Sequence, residues 1–193
     1  MSGLPDVIEL DLEEEATRLW AGAQSARETA DEDIVALCES LDLGLHAAEI
    51  FVIRLLQPVR DRFPATIGLQ LELPTAEVDP HRDGMTIPHA LQFHDIVDLL
   101  SGEDLECVSP GMHRGWEDRR FSCRRSRVTA QSAIGVTLDA SDQSDLLVLA
   151  AYRNRLFRYP PPVRIVPAEI KAAYGALDRL VENLLSAQSP EPV

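Results

Sequence analysis

The sequence contains a single lysine, Lys171, against seventeen arginines. Covalent catalysis through a lysine amine would therefore have to rest on that one residue. A guanidinium group keeps its proton in proteins and forms bidentate hydrogen bonds with carboxylates and phosphates. The arginines of this chain therefore suit binding better than proton transfer. Codon usage in a GC-rich genome would produce the same shortage of lysine, but it would not explain why the arginines cluster.

Cysteines and long apolar runs are also scarce. The three cysteines, Cys38, Cys107 and Cys123, form no CxxC pair, which argues against a disulfide framework or a structural zinc site and favours a reducing compartment. The longest apolar run, Leu146–Ala151, is far too short to span a bilayer. The acidic N-terminal stretch does not resemble a secretory signal. We therefore expect a cytoplasmic protein of bacterial type that makes no membrane contact.

Motifs for catalysis are missing as well. The chain has no GxSxG elbow and neither of the glycine-rich phosphate loops, GxxxxGK[ST] and GxGxxG. His81 and Asp83, in a long polar loop, would supply two of the three protein ligands of a two-histidine, one-carboxylate iron site. A third ligand would have to come from His89, His94 or His113. An ordinary turn explains the loop more simply, so we expect no cofactor and keep a metal-dependent enzyme as a second alternative.

Charge is distributed unevenly along the chain. The net charge is −14, residues 1–50 hold thirteen acidic and two basic side chains, and residues 111–193 hold nine acidic and twelve basic ones. Because binding to nucleic acid depends on neutralising phosphates, the overall charge argues against general nucleic-acid affinity. It suits a cationic protein partner.

The clearest candidate binding segment is rich in arginine and aromatic residues. Its predicted partner-binding residues are Arg114, Trp116, Arg119, Arg120, Phe121, Arg124, Arg125 and Arg127. Arginine and tryptophan are enriched at the energetic centres of protein interfaces. Single-stranded nucleic acid could use the same combination, and pairing of these arginines with the acidic N-terminal helices also stays open. A smaller group, Arg153, Arg155 and Arg158, could extend the same surface.

The spacing of apolar residues predicts helices in the first third of the chain and at its C-terminus. Three helices are predicted first: one from Asp11, a second from a cap at Thr29 or Asp31 to Gly44, and a third over Ala47–Phe63 that Pro58 should kink or end near Gln57. Two more are predicted over residues 88–101 and 167–188. The last has the clearest apolar stripe, made of Ile170, Ala173, Tyr174, Leu177, Leu180, Val181, Leu184 and Leu185.

The remaining segments predict β-strands. The predicted strands are Ile67–Leu73, Leu105–Val108, Arg119–Thr129, Ser132–Leu138, Asp145–Tyr152 and Val163–Val166. Asp139, Asp142 and Asp145 fit a solvated hairpin loop better than a calcium site. Together these elements predict a single α+β domain, with a helical portion over 1–63 and a mainly antiparallel sheet over 64–193. The predicted function is non-enzymatic protein binding in a chaperone-like, immunity or adaptor role.

Overall fold

The computed structural model describes residues 11–62, 93–101, 135–158 and 164–188, and these ranges contain helices but no strand. The elements are α1 (Leu12–Thr29), α2 (Ile34–Leu56), a 3₁₀ helix (Gln57–Arg62), α3 (Phe93–Ser101), α4 (Ala140–Arg158) and α5 (Pro167–Gln188). The described part of the chain is therefore a helical assembly. The prediction of an α+β fold with a sheet in its second half is wrong.

Helix α1 begins where the sequence predicts a helix. The carboxylate of Asp11 caps it by accepting a hydrogen bond from the backbone N–H of Glu13 at 2.8 Å. Three glutamates in the first turn follow this cap and complement the positive end of the helix dipole. Ala16, Leu19 and Ala23 recur every three or four residues and form the buried face.

Helix α2 combines the second and third predicted helices into one. The carboxylate of Asp33 caps it through the N–H of Val35 at 2.8 Å, and the helix continues through Gly44, where an end was predicted. A Cβ atom on Gly44 would lie 3.0 Å from a methyl of Leu177. Gly44 therefore marks a close approach of two helices rather than a helix end. The predicted effect of Pro58 is confirmed, because the α-helix ends at Leu56 and gives way to the 3₁₀ helix.

Helix α4 replaces the strand predicted over Asp145–Tyr152. The side chain of Asp139 accepts a hydrogen bond from the N–H of Asp142 at 2.7 Å, and its carbonyl accepts one from the N–H of Gln143 at 2.9 Å. These two aspartates thus start a helix, and the hairpin-loop prediction is wrong. The helix buries Leu146, Leu149 and Ala150, whose i, i+3, i+4 spacing places them on one side of a helix, whereas a strand would put Leu149 on the opposite face.

The other predicted strands have two outcomes. Of Ser132–Leu138 the structure describes residues from Gly135 onward, and of Val163–Val166 it describes residues from Arg164 onward; neither described portion is a strand. The strands predicted over Ile67–Leu73, Leu105–Val108 and Arg119–Thr129 lie outside the described residues.

Helix α5 confirms the predicted C-terminal helix at both ends. It begins with Pro167, whose fixed φ and missing N–H suit the first helical position. The predicted stripe is buried except for Leu185, which is 39% exposed. The C-terminal stripe is therefore core, as its spacing indicates.

Contacts between side chains give the direction of each helix relative to its neighbours. In the α1–α2 hairpin Glu13 pairs with Arg54, and Gly22 lies beside Leu43, so the two helices are antiparallel. Helices α4 and α5 form a second antiparallel hairpin, because Asp142 contacts Arg179 whereas Tyr152, further along α4, contacts the earlier Glu169 of α5.

Helix α2 is the centre of the assembly, since it contacts α1, α3, α4 and α5. Ser40 lies against Tyr174 and Gly44 against Leu177, which shows that α2 and α5 run parallel. Six apolar side chains of α2 are among those completely buried: Phe51, three leucines (Leu41, Leu45 and Leu56) and two alanines (Ala47 and Ala48). None of the helices in the described ranges is long and apolar enough to cross a membrane.

Candidate functional site

The predicted arginine and aromatic binding residues lie outside the described residues. These are Arg114, Trp116, Arg119, Arg120, Phe121, Arg124, Arg125 and Arg127. His81 and Asp83, the candidate ligands of the alternative metal-dependent enzyme, also lie outside them. Within the described residues there is no group of three or more histidine, cysteine, aspartate or glutamate side chains arranged to hold a metal ion.

Arg153 belongs to the smaller predicted arginine group, and the structure uses it inside the molecule. From α4 it donates to Asp42 at 3.0 Å and to Glu49 at 2.7 Å, both on α2. Burial alone would lower the pKa of Arg153, but the hydrogen bond and charge of Glu49, with those of Asp42, raise it. Arg155, by contrast, is exposed and lies over the ring of Tyr152, 5.8 Å from its centroid. Arg153 is thus part of an internal ion-pair cluster, whereas Arg155 lies at the surface.

Arg27 forms a second internal clamp, between α1 and α5. It donates to both carboxylate oxygens of Asp178, at 2.8 and 2.7 Å. Its guanidinium also lies 4.4 Å from the ring centroid of Tyr174 and 5.8 Å from that of Trp20. The hydrogen bonds of Asp178 raise the pKa of Arg27 despite partial burial. The bidentate ion pair of Arg27 with Asp178, together with the two aromatic rings near the guanidinium, holds α1 in register with α5.

Tyr174, which contacts Arg27, and Cys38, which acts electrostatically on Tyr174, are the titratable side chains beside this clamp. Burial raises the pKa of Tyr174 to about 12, although its hydrogen bond with Ser40 and the charge of Arg27 act in the opposite direction. Burial, together with the charge of Asp33, raises the pKa of the Cys38 thiol. Both groups therefore keep their protons near neutral pH. A protonated thiol is a poor nucleophile, so the cluster is best understood as a packing device.

The α1–α2 hairpin carries a large surplus of negative charge. Between Asp11 and Leu56 the sequence has eleven carboxylates and three arginines. All three arginines are in ion pairs: Arg18 with Glu15, Arg27 with Asp178, and Arg54 with Glu13. The arginines of this hairpin are thus all in intramolecular ion pairs, and most of its carboxylates face solvent.

The acidic surplus is concentrated where α1 turns into α2, at residues 28–35, which we name the hairpin tip. Its four carboxylates belong to Glu28, Asp31, Glu32 and Asp33. Lys171 of α5 donates to Asp31 at 2.5 Å and so lowers the pKa of that carboxyl group. Among the described residues, Glu28 and Glu32 have no ion-pair partner.

Two exposed apolar side chains also lie at the hairpin tip. Ile34 is 47% exposed and Val35 is 67% exposed, and they are the most exposed large apolar residues in the part of the chain that the structure describes. The sequence did not reveal them as a surface, because Ile34 continues the apolar spacing of the buried Leu37 and Leu41. The available signal was their position, directly after three consecutive acidic residues at a helix start.

Comparisons with protein-family models, with curated proteins and with solved structures give no match for this chain. We therefore infer its function from the residues of the chain itself.

Proposed function

We propose that this protein is a non-enzymatic binding module for other proteins, and that the acidic surface of the α1–α2 hairpin is its binding face. One observation carries the proposal: all three arginines of the hairpin are in ion pairs, and six of its eleven carboxylates have no ion-pair partner among the described residues. A surface with uncompensated charge attracts and orients partners of opposite charge.

The internal clamps support a role in binding. Arg27 joins α1 to α5 and Arg153 joins α4 to α2, so the acidic hairpin is held on the rest of the described helices by charged contacts as well as by the apolar core. Interfaces between rigid partners need little rearrangement, which keeps the entropic cost of association low. Adaptor, immunity and chaperone-like roles all fit such a surface, and the cysteine usage fits the cytoplasm.

A nucleic-acid partner is the alternative that the arginine-rich segment suggested. The acidic hairpin would repel phosphates, and binding to nucleic acid depends on phosphate neutralisation. The described residues therefore favour a cationic protein.

Site-specific cross-linking tests this proposal. A photoreactive amino acid replaces Glu39, exposed on α2, or Glu182, exposed on α5 as a matched control. After irradiation in cells of the native host, we expect discrete protein adducts from position 39 and few from position 182. Equal labelling from both positions, or no adduct from position 39, would show that the hairpin is not a binding face.

A further inference from the structure

The hairpin tip combines two features that single surface residues do not. Isolated exposed apolar side chains are normal on protein surfaces, and Leu147 on α4 and Leu185 on α5 are of this kind, at 37% and 39% exposure. Ile34 and Val35 differ because they are consecutive, more exposed and bordered by carboxylates. An interface typically has an apolar centre and a polar, charged rim.

The charges at the tip decide what kind of molecule fits there. Glu28 and Glu32 are exposed and have no ion-pair partner among the described residues, and Asp33 accepts the N–H of Val35. Lys171 is the one cation that the described structure places against the tip, and it is already paired with Asp31. Phosphate groups and the same tip of a second copy would both meet like charge. A cationic occupant would be attracted by Glu28, Glu32 and Asp33.

We propose that the hairpin tip binds a short basic segment of a partner protein that carries at least two large apolar side chains. The apolar side chains cover Ile34 and Val35, and flanking lysines or arginines pair with Glu28 and Glu32. This inference rests on the proposed protein-binding function and adds to it the location of the site and the chemistry of the partner.

Binding of a defined peptide to the purified full chain tests the inference. The probe is a fluorescent amphipathic peptide of leucine and lysine, and a peptide with glutamate in place of lysine is the control probe. We expect the basic peptide to bind and the acidic one not to bind. The double variant Ile34→Ser, Val35→Ser should weaken binding by about tenfold or more, because it removes apolar contact without adding charge. Its matched control, Leu147→Ser with Leu185→Ser, should stay within about twofold of the parent chain.

A second pair of variants isolates the charge contribution. Glu28→Gln with Glu32→Gln should weaken binding and flatten its dependence on salt, whereas Asp145→Asn with Glu182→Gln should change both much less, because these residues lie on α4 and α5, outside the acidic hairpin. Thermal melts of every variant confirm that the comparison is made between folded chains.

Three outcomes would overturn the inference. If the serine variant binds like the parent while the glutamine variant does not, the attraction is purely electrostatic, and Ile34 and Val35 are not a docking site. If sedimentation shows a dimer that the serine variant abolishes, the occupant is a second copy. If the basic peptide fails to bind while position 39 still cross-links a protein, the partner class is wrong and the proposed function survives.

Discussion

Gly44 offers the sharpest test of how the helices pack. A Cβ atom at this position would lie 3.0 Å from a methyl of Leu177, and 3.6 Å from both Ala23 and Trp20. Leu177 is completely buried, so its methyl has little room to move. Replacing glycine by alanine in a helix interior gains about 1 kcal/mol of helix propensity, but overpacking a tight core costs about 1–3 kcal/mol. We expect Gly44→Ala to lower the free energy of unfolding by about 1 kcal/mol.

Gly22→Ala is the matched control, since it makes the same change on the neighbouring helix. Its Cβ would meet only the end of the Leu43 side chain, at 3.3 Å, and Leu43 is half-buried. We therefore expect this variant to be more stable than the parent, by up to about 1 kcal/mol. Urea unfolding followed by circular dichroism measures both values.

A double-mutant cycle identifies the contact responsible. In a chain that already carries Leu177→Ala, the methyl that crowds Gly44 is gone, so Gly44→Ala should no longer destabilise the fold. Leu177→Ala by itself should cost about 2–5 kcal/mol. If Gly44→Ala and Gly22→Ala stabilise the chain equally, the close approach of α2 and α5 is refuted.

Two further perturbations test the polar contacts. The pKa of Tyr174 is raised to about 12 in the folded chain, whereas a tyrosine in the unfolded chain has a pKa near 10. The folded chain therefore holds this phenolic proton more tightly. The stability that results is complete below about pH 10 and is lost as the pH rises towards 12. Tyr174→Phe should remove most of that alkaline loss in urea unfolding measured from pH 9 upward, and an unchanged profile would contradict the assignment. Arg153→Ala should cost about 1–3 kcal/mol in thermal or urea unfolding, because it leaves Asp42 and Glu49 without their shared cation. Arg155→Ala should cost under about 0.5 kcal/mol, and equal losses would show that the clamp adds nothing.

The parts of the fold that the sequence predicted are those with long periodic stripes. In α5 eight apolar residues follow helical spacing over about four turns, and no competing pattern fits them. The start of α1 was also clear, since Asp11 followed by glutamates is typical of a capped helix. These signals are local, and local propensity and packing agree there.

The errors arose where distant contacts decide the outcome. The run Leu146–Ala151 is six residues long, a length at which an apolar segment fits a buried strand or a buried helix equally well. The cap from Asp139 and the packing of α4 on α5 settle it as a helix. Gly44 resembled a helix end. In the structure, the absence of a side chain there makes room for Leu177, which is more than a hundred residues away in sequence. The exposure of Ile34 likewise depends on where the neighbouring helices lie.

The central position of α2 has a consequence for the order of folding. Its contacts with α1 are local and can form as soon as both helices have been synthesised, but Ser40 meets Tyr174 across 134 residues of chain. Arg27 and Asp178 are separated by 151 residues. Contacts of such long sequence separation form slowly, because a large loop must close first. Until α5 has left the ribosome, the face of α2 that α5 covers in the folded chain has no partner, and exposed apolar surface of this kind favours aggregation.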